Sequence, residues 1–240
     1  MTLPFVSQFA VAPVLANDID TTVIDQQSAN LALRVNFVPV LASISKTKNR
    51  PLIDYQWVSV EALQVQWLMG WFKRWFCHRD TILVKGEHEP EYFAATDNEP
   101  AKIVFAHGFF ASALHEISHW CMAGQKRRLL NDFGYWYAPD GRNQQQQQQF
   151  EQVEILPQAI ECLLTLACNK PFSVSKDNLF ADFDTSQSTF EADVQAQAVK
   201  FWQTGQKLST DAKVLLSQLT KLRPLPLTSF DISHNFIKAN

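Results

Sequence analysis

The chain has 240 residues, of which 46% are hydrophobic and 19% charged, and its 18 Phe and 7 Trp exclude a wholly disordered polymer. A formal net charge of −3 supplies no global basic field, so no nucleic-acid partner is expected. Four cysteines (Cys77, Cys121, Cys162, Cys168) without a CxxC pair are too few to staple a fold and read as reduced thiols of a cytoplasmic protein.

The opening stretch MTLPFVSQFAVAPVLA has no Lys or Arg before its apolar part, so the charged region of a secretory signal is missing. Residues 1–56 carry four prolines (Pro4, Pro13, Pro39, Pro51), a polar stretch Asp18–Asn30 and a basic run Lys46–Arg50. Apart from a short strand candidate at Leu31–Leu41 they show no sustained period, and they read as a peripheral extension, loosely ordered or laid over the domain. The domain proper is expected over 57–225, with a tail at 226–240. Its first element is a helix within Trp57–Phe76, where Trp67, Trp71 and Trp75 form one stripe that packs on the core. Glu61, Lys73 and Arg74 disqualify that stretch as a bilayer span, and no membrane partner is expected.

Two short runs follow, Thr81–Lys85 and Glu91–Ala95, and the turn residues Gly86–Pro90 between them predict a hairpin. Lys102–Ala106 is a third strand candidate. A helix opening at Gly108 should run to Ala123 and stop at Gly124. The six glutamines Gln144–Gln149 read as a solvated loop or a helix start, and a helical region then covers Gln146–Cys168 with Pro157 interrupting it. Ser188 and Glu191 have the spacing of a capping box for a helix that ends at Gly205. A last helix spans about Thr210–Leu222. Helices outnumber strands and the strands cluster early, so the fold class is α+β: one domain with a small sheet and a helical layer.

The chemistry sits in His115-Glu-Ile-Ser-His119. Residues four apart lie on one helix face, so both imidazoles can bind a single divalent metal. Glu116, about 100° around the helix, can reach a metal-bound water. A third ligand is expected from the next helical region, where Glu151 and Glu154 share a face; Glu154 is the favoured ligand and Glu151 the support for a histidine ring. The spacing alone suits a Zn-dependent hydrolase, peptidase or nuclease, with Glu116 as general base. A two-histidine, one-carboxylate site with open positions suits non-haem Fe(II) and molecular oxygen. A metal-stabilised binding module without turnover is the non-enzymatic alternative.

The blocks FAHGFFASALHEISHWCMAGQKRR, DFGYWYAPDGR, QFEQVEILPQA and PFSVSKDNL closely resemble the elongation factor P hydroxylases, from about Glu61 through Gly205 and excluding residues 1–56 and the glutamine tract. The resemblance implies an α+β fold similar to a bacterial metal-dependent endoribonuclease. It also implies an oxygen-dependent hydroxylase of elongation factor P carrying β-lysyl-lysine, acting last in that modification. Hydroxylating an unactivated C–H bond needs an oxidant stronger than any side chain, which points to iron and dioxygen. The positions that match the metal motif are His115, His119 and Glu154. Glu116 then becomes a proton shuttle, or a residue that orients a ligand, rather than a hydrolytic base.

Around this centre, His107 is expected either beside the metal or substrate, or as a structural imidazole. Tyr135, Trp136, Tyr137 and Asp140 form a loop suited to an aliphatic ammonium side chain, through aromatic faces and one carboxylate, or to packing alone. Lys126, Arg127 and Arg128 read either as a docking patch for an acidic translation factor or as solvated surface.

Overall fold

A computed structural model describes residues 60–134, 141–176, 178, 183, 188–222, 226–228 and 231–232. The proposed extension at 1–56 and the loop Tyr135, Trp136, Tyr137 and Asp140 lie outside the described residues. Among the described residues the architecture is α+β: five α-helices and a three-stranded sheet. None of the described helices is long and apolar enough to cross a membrane.

Helix α1 (Val60–Phe76) buries Val65, Leu68, Trp71, Phe72 and Phe76, a stripe at helical spacing, while Trp67 and Trp75 pack half-buried against the same core. Strands β1 (Thr81–Lys85), β2 (Glu91–Phe93) and β3 (Ala101–Phe105) follow. The expected β1–β2 hairpin does not form. The strand order is β1-β3-β2, with β3 parallel to β1 (Leu83 opposite Ile103) and antiparallel to β2 (Tyr92 opposite Ile103). Alternate side chains of β3, at Ala101, Ile103 and Phe105, are buried, so the most apolar strand takes the centre and the hairpin turn falls between β2 and β3. Gly86 serves close approach rather than a hairpin: its N–H donates to the Phe105 carbonyl at 2.9 Å, and a Cβ there would stand 2.6 Å from Val104 Cγ1.

Helix α2 (Phe110–Arg127) begins after a tight turn at Ala106–Gly108 and leaves helical geometry at Gly124, whose φ is 67°. Its N-cap residue supplies no side-chain cap; Glu61 on α1 instead accepts from the Phe110 N–H at 3.0 Å. Its buried face carries Trp120, met edge-on by Phe72 and Phe76, with the Arg128 guanidinium 3.5 Å from the Trp120 ring centroid.

Helix α3 (Gln144–Ala167) is continuous, so Pro157 does not interrupt it. Pro157 has no N–H for the Val153 carbonyl, and Val153 lies on the outer side of the helix, 61% exposed. Asn143 caps α3 in a reciprocal box with Gln146, which makes the glutamine tract a helix start. Helix α4 (Phe190–Thr204) ends at left-handed Gly205, as expected, but its N-cap is Thr189 and the box between Ser188 and Glu191 is not made. The Ser188 hydroxyl donates to Glu151 on α3 at 2.7 Å; the carboxylate is the stronger acceptor and ties the two helices together. Helix α5 (Thr210–Leu222) completes the layer. Helix α3 packs against α2, α4 and α5, and Leu227 and Ile232 beyond α5 are buried in the same core.

Candidate metal centre

Where α2 crosses α3, the side chains of His115, His119 and Glu154 converge. The helical pitch alone brings the two imidazoles together: their Nε2 atoms stand 3.0 Å apart and their ring centroids 4.7 Å apart. Glu154, 1% exposed, comes from α3. Its Oε1 lies 3.3 Å from His119 Nε2 and its Oε2 3.8 Å from His115 Nε2. Two nitrogens bound at right angles to one metal at about 2.1 Å are about 3.0 Å apart, so the imidazole spacing fits a shared ion. The donor chemistry, two nitrogens and a carboxylate oxygen, fits zinc or iron equally well.

Burial disfavours charge on Glu154, but His119 first and then His115, together with a hydrogen bond from Gln158, hold its carboxyl down at about 2. Burial likewise works against a charged His115, yet the Glu161 carboxylate, followed by Glu116 and Glu154, outweighs it and raises the ring to about 10. Glu116, unlike Glu154, is raised. Desolvation pushes its carboxyl up, the two histidines pull it down, and Glu154 and Glu161 add to the rise.

The carboxylate that supports a histidine is Glu161, not Glu151. His115 Nδ1 donates to Glu161 Oε2 at 2.8 Å, which directs Nε2 toward His119 and Glu154. Glu151 accepts from Gln147 Nε2 at 3.2 Å and from the Ser188 hydroxyl, and so belongs to the joint between α3 and α4. The sequence does carry a signal for Glu161: it lies seven residues after Glu154, two helical turns along the same face. Gln158, between them, is fully buried and bonds both Glu154 and Ser175.

His107 is exposed in left-handed backbone (φ 50°), its ring 5.8 Å from that of Phe109, and it is not one of the converging ligands. The basic cluster is not one patch. Arg128 pairs with Asp211 at 2.7 Å and donates twice to the Trp120 carbonyl, while Arg127 donates to the Phe133 carbonyl. The buried Asp211 carboxylate and the Trp120 carbonyl draw Arg128 inward, while Arg127 and Lys126 are both exposed.

Residues 71–227 match the sequence model of the family described as elongation factor P hydroxylase. The chain is also similar to the elongation factor P lysine hydroxylase of Haemophilus influenzae, at 41% identity over 157 residues that cover 64% of this chain and 88% of the relative.

Proposed function

This chain belongs to the elongation factor P hydroxylase family, and we propose that it hydroxylates the β-lysylated lysine of elongation factor P, as the last step of that modification, with a non-haem iron held by His115, His119 and Glu154 and with dioxygen as co-substrate. The observation that carries the metal part of this reading is the convergence of two imidazoles and one buried carboxylate across α2 and α3. Iron bound there would supply the activation of dioxygen that C–H hydroxylation requires, a chemistry that no side chain offers.

The residues of the chain do the rest. Glu161 holds His115 in the tautomer whose Nε2 faces the ligand set. Glu154 contributes a carboxylate that stays ionised because two imidazoles flank it. Glu116 is the proton-handling residue: burial and its acidic neighbours make it hold a proton more readily than an exposed glutamate does. The four unpaired cysteines suit the cytoplasm, where elongation factor P acts.

The test is to purify the protein anaerobically with Fe(II), supply β-lysylated elongation factor P and air, and follow the intact mass of the substrate. A gain of one oxygen atom that is lost with His115→Ala supports both the reaction and the centre. No gain, together with tightly held zinc and metal-dependent hydrolysis, would replace this reading with a hydrolase using Glu116 as base.

A further inference from the structure

One face of α3 is polar for almost its whole length although it is turned into the protein. Gln147, Glu151, Glu154, Gln158, Glu161 and Thr165 recur at alternating steps of four and three residues, and all but Glu151 are buried. A polar seam inside a helical layer is costly unless each group is bonded. Along it, Gln147 bonds Arg142 and the Lys176 carbonyl, Glu151 bonds Ser188, and Glu161 bonds His115. Two of these groups bond candidate ligands: Glu161 bonds His115, and Gln158 bonds the carboxylate of Glu154.

We infer that Gln158 is a positioning residue that makes Glu154 a one-oxygen ligand and so keeps a further position at the metal open. The inference rests on the metal reading of the preceding section. A primary amide can point either way, but here the Ser175 backbone fixes it. The Ser175 N–H donates to Gln158 Oε1 at 3.0 Å, and Gln158 Nε2 donates to the Ser175 carbonyl at 2.8 Å. A flipped amide would oppose donor to donor and acceptor to acceptor. The remaining Nε2 hydrogen is therefore aimed at Glu154, whose Oε2 accepts it at 3.3 Å. The same carboxylate presents Oε1 to His119 at 3.3 Å, while Oε2 stands farther from the imidazoles, 3.8 Å from His115.

One carboxylate oxygen is thus engaged by an amide that cannot turn away, and the other faces the histidines. A carboxylate free of such a bond can chelate through both oxygens and occupy two coordination positions. Held by one oxygen it occupies one, and a position remains for dioxygen or substrate. The same bonds join the ligand to the strip that includes buried Phe172 and Val174, so its orientation is set by the core and not by the metal alone.

The experiment compares the full-length wild type with Gln158→Met, which keeps the volume and loses every polar bond, and with Gln158→Glu, which can still accept from Ser175 but presents no amide hydrogen to Glu154. Each is titrated with Co(II), and its coordination number is read by X-ray absorption. Thermal unfolding of the metal-free proteins separates a folding defect from a ligand defect, and Gln158→Glu carries the test if Gln158→Met does not fold. The expected result is a loss of about tenfold or more in Co(II) affinity, with one additional oxygen at the metal in the variants. Unchanged affinity and coordination in folded variants would overturn the role of Gln158 and leave the metal reading intact. A wild type that takes up no Co(II) would overturn the metal reading, and this inference with it.

Discussion

At the scale of single residues, the centre is an unusual concentration of charge. Three carboxyl groups (Glu116, Glu154, Glu161) and two imidazoles act on one another across α2 and α3. Without metal, protons must balance that charge, and two groups carry opposite pH signatures. Glu154, lowered from 4.5 to about 2, contributes stability that is present above pH 4.5 and is lost as the pH falls toward 2. His115, raised from 6.5 to about 10, contributes stability that is complete below 6.5 and is lost as the pH rises toward 10. The metal-free protein should therefore be most stable between 4.5 and 6.5 as far as this pair decides. Metal-loaded protein should lose the alkaline decline, because the metal takes the place of the proton on His115. Urea titrations across pH, with and without metal, read both curves, and identical alkaline limbs would count against metal at His115.

Glu161 admits an equally local test. Glu161→Ala leaves His115 Nδ1 without its partner and should lower metal affinity about 10- to 100-fold. Glu161→Gln keeps an acceptor oxygen and should fall less. Metal titration of the two variants separates ring orientation from charge; equal losses would mean that charge alone matters.

At the scale of elements, each helix that carries candidate ligands begins at a specific polar bond. Helix α2 is capped from outside by Glu61, whose negative charge also suits a helix N-terminus. Helix α3 is capped from within by Asn143 and Gln146. Asn143→Ala should cost about 1 kcal/mol, measurable as a lower urea midpoint. Gln146→Ala, which breaks only the return bond, should cost less. The glutamine tract is correspondingly uneven. Gln146 caps, whereas Gln147 is buried between Arg142, Glu151 and the Lys176 carbonyl. Gln147→Leu should destabilise more than the same change at exposed Gln145, because it leaves the Arg142 guanidinium with one bond fewer in a buried setting.

At the scale of the molecule, metal would join the two helices that the core already packs together. Saturating metal should raise the unfolding temperature, since a ligand at a thousand times its dissociation constant stabilises by about 4 kcal/mol. A chelator should reverse the rise, and His115→Ala should abolish it while melting below the metal-free wild type, because the Glu161 carboxylate loses its imidazole partner. Differential scanning calorimetry checks all three. Trp120 shows how tightly centre and core are linked: it follows His119 in the chain, yet it is fully buried against Phe72, Phe76 and Arg128. Truncation to Ala should cost about 3–5 kcal/mol, and it should also weaken metal binding, because a cavity there loosens the turn that carries His119.

What could be read from the chain alone was what depends on near neighbours. The paired imidazoles follow from helical pitch, the α1 stripe from apolar period, and the break in α2 at Gly124 and the end of α4 at Gly205 from glycine's access to positive φ. The α+β class follows from the order of those elements, and family membership from blocks of sequence long enough to be specific. Tertiary structure decided what depends on competition between distant partners. β3 displaced β2 as the neighbour of β1 because it buries more apolar surface. Glu151 was drawn to Ser188, and Glu161 took the histidine ring. Arg128 turned inward to Asp211 and Trp120, and α3 ran through Pro157 at a level where Val153 is exposed. In each case the residue type was suited to several partners, and only the packed neighbours fixed which one it met.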